Sequence, residues 1–93
     1  MPASITVQIV NKKGLHARAA AKFVKVVAAH ETQVTVTKLE SDLPAVPGGS
    51  ILGLMMLGAD PGSKLRIDAE GKQAQEVISA LRELVENKFG EGE

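Results

Sequence analysis

A chain of 93 residues, 44% hydrophobic and 24% charged, suits one compact domain with a modest core and leaves little room for a second. Eleven Lys and Arg balance eleven Asp and Glu, a formal net charge of zero, which lacks the strongly basic footprint of a nucleic-acid binder. No cysteine is present, so there is neither a disulfide framework nor a thiolate metal site, and no signal peptide or membrane-spanning apolar run is evident; the expectation is a cytoplasmic protein without membrane insertion. An enclosed substrate pocket would consume core that so short a chain needs for stability, which favours a surface site.

Ile5, Val7 and Ile9 alternate with Thr6 and Gln8, the period-2 pattern of a strand with one buried face. After Asn11-Lys12-Lys13-Gly14, the run from Ala17 to Ala29 sets Ala20, Phe23, Val24 and Val27 at helical spacing opposite Arg18, Lys22 and Lys25, predicting an amphipathic helix with a basic outer face. Val34 and Val36 alternate with Gln33, Thr35 and Thr37, and Leu39, Leu43 and Val46 lead to a break at Pro47-Gly48-Gly49; this reads as a hairpin with a short second strand. Pro44 and Pro47 each remove a ladder donor, which assigns 39–49 to a sheet edge or a loop.

Ser50 precedes the apolar stretch Ile51 to Leu57, closed by Gly58 and Pro61-Gly62, and this reads as a two-turn helix. Leu65, Ile67 and Ala69 alternate with Lys64, Arg66 and Asp68 as a further strand. Ala74, Val77, Ile78, Leu81, Leu84 and Val85 then mark a final helix from about 72 to 88, with residues 90–93 expected to fray. The order is βαββαβα. Every clear strand is apolar on one side only, so the expected class is α+β, a two-layer open-faced sandwich whose mainly antiparallel sheet carries its helices on one face.

Gly14-Leu15-His16-Ala17-Arg18 falls where the first strand hands over to the first helix, placing His16 at or beside the helix N-cap. The first turn of a helix has unpaired N–H groups and a partial positive charge, so the backbone at Ala17 and Arg18 can hold a phosphate while the Arg18 guanidinium adds charged donors. The same positive field favours a neutral, nucleophilic imidazole, able to form a covalent phospho-intermediate. Histidine is also a poor N-cap beside Ser, Thr, Asp or Asn, a break in helix-start chemistry that points to function. Lys22 and Lys25 read equally well as the solvated face of an ordinary helix, and His30 as a partner for that helix's negative end.

A second signal lies at Ser50, a good N-cap, followed by a helix too apolar to hide all its side chains. With Leu54 and Leu57 inward, some of Ile51, Leu52, Met55 and Met56 stay exposed, and an exposed Met-rich patch suggests a docking surface.

Gly14 to Arg18, the following Ala20-Ala21-Lys22-Phe23-Val24, Ser50 to Met55, and Ala69-Glu70-Gly71 before the last helix together resemble the active-site and regulatory-site segments of the HPr family of phosphocarriers. The resemblance covers nearly the whole chain except 39–49 and the acidic tail. It implies sheet order 1-4-2-3 and phosphorylation of His16 on Nδ1 by enzyme I, fed by phosphoenolpyruvate, followed by transfer to enzyme II-type acceptors. It further implies Arg18 as the arginine facing the phosphate and a partner-docking patch at Ala21, Lys25, Ile51, Leu52 and Met55. Ser50 matches the serine that HPr kinase/phosphorylase modifies in bacteria that have that enzyme. A carrier of this kind is not itself an enzyme, needs no cofactor or metal, and is expected to be a monomer.

Ala19 stands where sugar-transport members usually have proline. With the runs Gly53 to Leu57 and Val85 to Gly90, it leans toward the nitrogen-regulatory or alphaproteobacterial branch. An RNA-binding domain of the same element order would need sheet aromatics, and Phe23 and Phe89 both fall on predicted helices. A small metabolite-sensing ferredoxin-like regulatory domain is the alternative that size and element order also allow. An independent enzyme lacks paired carboxylates, a metal-ligand cluster or an evident base beside His16.

Overall fold

The structure, a computed structural model, describes residues 2–91. In chain order these form β1 (Ala3–Gln8), α1 (Ala17–Ala28), β2 (Gln33–Lys38), β3 (Val46–Pro47), α2 (Ile51–Met56), β4 (Lys64–Glu70) and α3 (Ala74–Glu86), followed by a 3₁₀ turn over Lys88–Gly90. The strands lie in one sheet in the order β1-β4-β2-β3, every neighbouring pair antiparallel.

Side-chain alternation sorts this sheet into a dry face and a wet one. Ile5 opposes Ile67, Ile67 opposes Val36 and Val36 opposes Val46, an apolar row that crosses all four strands. Val7, Val34, Leu65 and Ala69 extend that face into a core shared with Phe23 of α1, Leu54 of α2, and Val77, Leu81 and Val85 of α3. On the other face the opposed residues are polar, Ser4 with Asp68 and Thr35, then Thr6 with Arg66 and Thr37. Helices cover one side and solvent the other, the expected open-faced sandwich. No helix among the described residues is long and apolar enough to cross a membrane.

β3 is only two residues long, and Pro47 opposes Thr35 on the sheet edge, where a missing donor leaves no neighbour unpaired. Residues 42–45 before it are exposed. The last helix is shorter than its apolar periodicity predicts, beginning at Ala74 and ending at Glu86. Lys88 and Phe89 both take φ of 55° and Gly90 takes 75°, a left-handed reversal that ends the helix. The reversal turns Phe89 fully into the core, and the Lys22 ammonium of α1 donates to its carbonyl. Where fraying is expected from residue 90, Gly90 closes the 3₁₀ turn and Glu91 packs beside His16; residues 92 and 93 lie outside the described residues.

Gly14 fixes the handover from β1 to α1. Its φ is +68°, and a Cβ there would sit 2.5 Å from the Ala59 carbonyl oxygen. That close approach lets the Leu15 N–H donate to the same oxygen at 2.9 Å, tying the start of α1 to the loop before β4. Replacing Gly14 with Ala is expected to destabilise the fold by about 2–3 kcal/mol, through left-handed strain and backbone displacement. Urea denaturation should show a lower midpoint at unchanged slope, and a midpoint equal to wild type would contradict this account.

Candidate functional site

The site forms where the inward-facing positions of β1 run on past the strand. Ile5, Val7 and Ile9 point to the core, and the next residue in that alternation is Asn11, fully buried. Its Nδ2 donates to the Gly14 carbonyl at 2.8 Å, while the Gly14 N–H donates to the Asn11 carbonyl at 3.2 Å, closing a tight turn. Leu15 enters the core, and His16, next in line, becomes the N-cap of α1 with extended backbone (φ −82°, ψ −178°). The predicted placement of His16 is met.

The imidazole is itself the cap acceptor. Its Nδ1 accepts from the Arg18 N–H at 3.3 Å, at the long end for a hydrogen bond, and its side chain is 27% exposed. No acidic side chain occupies the first turn of α1, so its positive end is not neutralised from within the helix. The other ring nitrogen, Nε2, is bonded to the Glu91 carboxylate, whose second oxygen accepts from Asn11 Nδ2 at 3.0 Å. A carboxylate can only accept here, so Nε2 carries the proton and Nδ1 the lone pair.

The basic stripe predicted for α1 divides. Arg18 and Lys25 are exposed, and the Arg18 guanidinium makes no ion pair among the described residues, whereas Lys22 is half-buried and engaged with Phe89. Ala17 and Ala21 are exposed on the same helix. His30 donates from Nδ1 to the Val26 carbonyl at 2.7 Å, the helix-end role read from its position. Among the described residues no group of three His, Cys, Asp or Glu could hold a metal ion.

Ser50 caps α2, its Oγ accepting from the Gly53 N–H at 2.9 Å. Leu54 and Leu57 are buried, leaving Ile51 and Met55 exposed and Leu52 and Met56 each 69% exposed. α2 packs against α1. Asn11 and Glu91 escape the sequence reading. Asn11 carries a legible signal, a polar residue at an inward position of an alternating run, whereas Glu91 is 75 residues from His16 and has no local pattern.

An open-faced sandwich with an imidazole at the amino end of its first helix places the chain among the small phosphocarrier proteins. The family profile described as PTS HPr component phosphorylation site matches residues 3–87. Phosphocarrier protein HPr of Pseudomonas aeruginosa is 47% identical over 93 residues, spanning 100% of both chains. That of Neisseria meningitidis serogroup A is 42% identical over 88 residues, 95% of this chain and 96% of the relative. The crystal structure of HPr-C-His from Thermoanaerobacter tengcongensis superposes with a TM-score of 0.87 at 42% identity, over 98% of this chain and 99% of that one.

The chain belongs to the HPr family. It is a phosphocarrier of the phosphotransferase system rather than an enzyme, and the metabolite-sensing alternative gives way to this reading. Members of the family act in that system with enzyme I and enzyme II components. The names of these relatives do not separate the sugar-uptake and nitrogen-regulatory branches.

Proposed function

We propose that His16 Nδ1 is the atom that takes the phosphoryl group from phosphorylated enzyme I and passes it to enzyme II-type acceptors. The observation that carries this reading is the Nδ1 lone pair at the N-cap of α1, already accepting the Arg18 N–H. A phosphoryl group bonded to Nδ1 brings its oxygens to the first-turn amides of Ala17 and Arg18, where the helix dipole favours negative charge. The Arg18 side chain, exposed and without an ion-pair partner among the described residues, is free to fold over those oxygens.

Docking falls to Ala21 and Lys25 of α1 and Ile51, Leu52 and Met55 of α2, all exposed and all on helices that pack together. Ser50 is the regulatory position, open to an HPr kinase/phosphorylase where the organism has one. The reading extends to a single domain spanning the chain, acting as a cytoplasmic monomer; one continuous core joining all three helices to the sheet supports the single domain. Ala19 at the start of α1 supports placement in the nitrogen-regulatory or alphaproteobacterial branch.

Incubation with enzyme I and phosphoenolpyruvate is expected to add one phosphate, labile in acid and stable in alkali, to wild type and none to His16→Ala. Mass spectrometry reads the result, and undiminished labelling of His16→Ala would sink the assignment. Arg18→Ala should slow transfer about tenfold or more, the loss of a charge-assisted contact to phosphate. Lys25→Ala, two turns along α1, should stay within about fivefold, the ~1 kcal/mol or less of an exposed charge. Quenched-flow rates distinguish the two, and equal losses would contradict the separate roles.

A negative charge at Ser50 should weaken docking without unfolding the protein. At the start of α2 it meets free N–H groups and the positive helix end, and aspartate is as good an N-cap as serine. When a partner buries Ile51, Leu52 and Met55, the same charge must be desolvated. Ser50→Asp is expected to bind enzyme I at least about fivefold more weakly than Ser50→Ala, ~1 kcal/mol, while Ser50→Ala alone loses ~1 kcal/mol of stability with its cap. Calorimetric titration with melting curves tests both, and equal affinity in the two variants would remove Ser50 from regulation.

A further inference from the structure

We infer that Met55 and Met56 form a modification site, the two thioethers taking up oxygen from a peroxide as methionine sulfoxide and so weakening the hold of enzyme I. This rests on the reading of α2 as the docking surface and adds a second, uncharged way of closing it.

Composition leaves an oxidant few other targets. The chain has no cysteine, tryptophan or tyrosine, and its three methionines are Met1, Met55 and Met56. Two of its three sulfur atoms therefore stand on adjacent residues of one six-residue helix. Oxygen transfer requires the oxidant to reach a sulfur lone pair, and Met55 is 43% and Met56 69% exposed.

Their place in the helix decides what the oxygen does. The exposed large side chains of α2 are Ile51, Leu52, Met55 and Met56. Met55 lies one turn from Ile51 and Met56 one turn from Leu52, so the two thioethers complete a single apolar face. Met56 thereby joins a stripe in which the docking residues already include its neighbours. The inward positions belong to Leu54 and Leu57, 0% and 1% exposed. An oxygen added to either exposed sulfur meets solvent rather than the core, and the free fold is untouched. In a complex that buries the stripe, the same oxygen is a polar acceptor withdrawn from water into an apolar contact. The flexible, apolar thioether that suits an adaptable contact surface becomes a polar side chain of nearly the same length.

The step balances with hydrogen peroxide as oxidant. A sulfur lone pair attacks one peroxide oxygen, the O–O bond breaks, and after proton transfer the other oxygen leaves as water. Sulfur is oxidised by two electrons and the peroxide reduced by two. Sulfoxide reductases return the thioether, two thiols passing to a disulfide while the oxygen leaves as water, with one enzyme for each sulfoxide epimer.

The test titrates enzyme I calorimetrically into full-length wild type and the double variant Met55→Leu, Met56→Leu, each before and after hydrogen peroxide. Leucine keeps the volume and apolarity of methionine without its sulfur. Peptide mass spectrometry is expected to place one added oxygen on each of Met55 and Met56. Oxidised wild type should bind roughly tenfold more weakly than untreated protein, as an unpartnered buried polar group requires, at an unchanged melting midpoint. Reductases of both epimer specificities, supplied with a thiol, should restore the affinity. The treated double variant should bind as its untreated form does. Equal affinity of oxidised and untreated wild type, or the same loss in the double variant, overturns the role of the two sulfurs. Leu52→Glu, titrated in parallel, separates this from the docking reading. Full affinity in Leu52→Glu would remove α2 as the docking surface, whereas weakened binding there beside unchanged binding of the oxidised protein would remove the modification site alone.

Discussion

An α-helix leaves its first amide protons without partners of its own, and the starts of α1 and α2 treat that vacancy differently. At α2 the Ser50 hydroxyl closes the end with a 2.9 Å bond to Gly53. At α1 a ring nitrogen reaches Arg18 at 3.3 Å, and no acidic side chain stands in the first turn. The first-turn amides of α1 are therefore the more loosely covered of the two and stay open to an anion. Much of the surrounding structure serves to hold that end at the surface: the turn that Gly14 makes against Ala59, Leu15 anchored in the core, and Asn11 buried beneath.

A weakly covered helix end suits a carrier better than a strong phosphate cradle would. A relay must give up the group it takes, so deep binding of the phosphoryl state would slow the second half of the cycle. Here the proposed acceptor atom lies on a partly exposed side chain, within reach of a donor on one occasion and an acceptor on the next. In the proposed relay the rest of the chemistry belongs to the partners, and the exposed apolar residues of α2 are the surface offered to them. That patch lies outside the core, since Leu54 and the C-cap Leu57 carry the inward face of a helix only six residues long. Its side chains are available for contact without loss to the fold.

Sequence made the sheet legible because each main strand buries one face, and a period of two can be read directly from Ile5, Val7 and Ile9 or from Leu65, Ile67 and Ala69. The position of His16 was legible too, since a glycine before a helical stripe marks a helix start. Elements held by few residues were not. β3 is two residues, the second itself a proline, and only its pairing with Thr35 and Val36 defines it. The end of α3 depends on backbone reversal at Lys88 and Phe89, residues with no intrinsic preference for left-handed geometry, and tertiary burial of Phe89 decides it. Lys22, read as part of a solvated stripe, is drawn to the Phe89 carbonyl for the same reason.

Residues at opposite ends of the chain thus meet at one imidazole, and the topology explains how. β1 lies at one edge of the sheet, hydrogen-bonded to β4 alone among the strands, and α3 packs across both. The chain leaving β1 and the chain leaving α3 therefore emerge close together, and the turn at Asn11 and the reversal at Phe89 bring them onto the same ring. Nδ1 is oriented by residues adjacent in sequence, and so belongs to the pattern that a reader of the sequence can find. Nε2 is oriented by Glu91, which only the closed fold supplies.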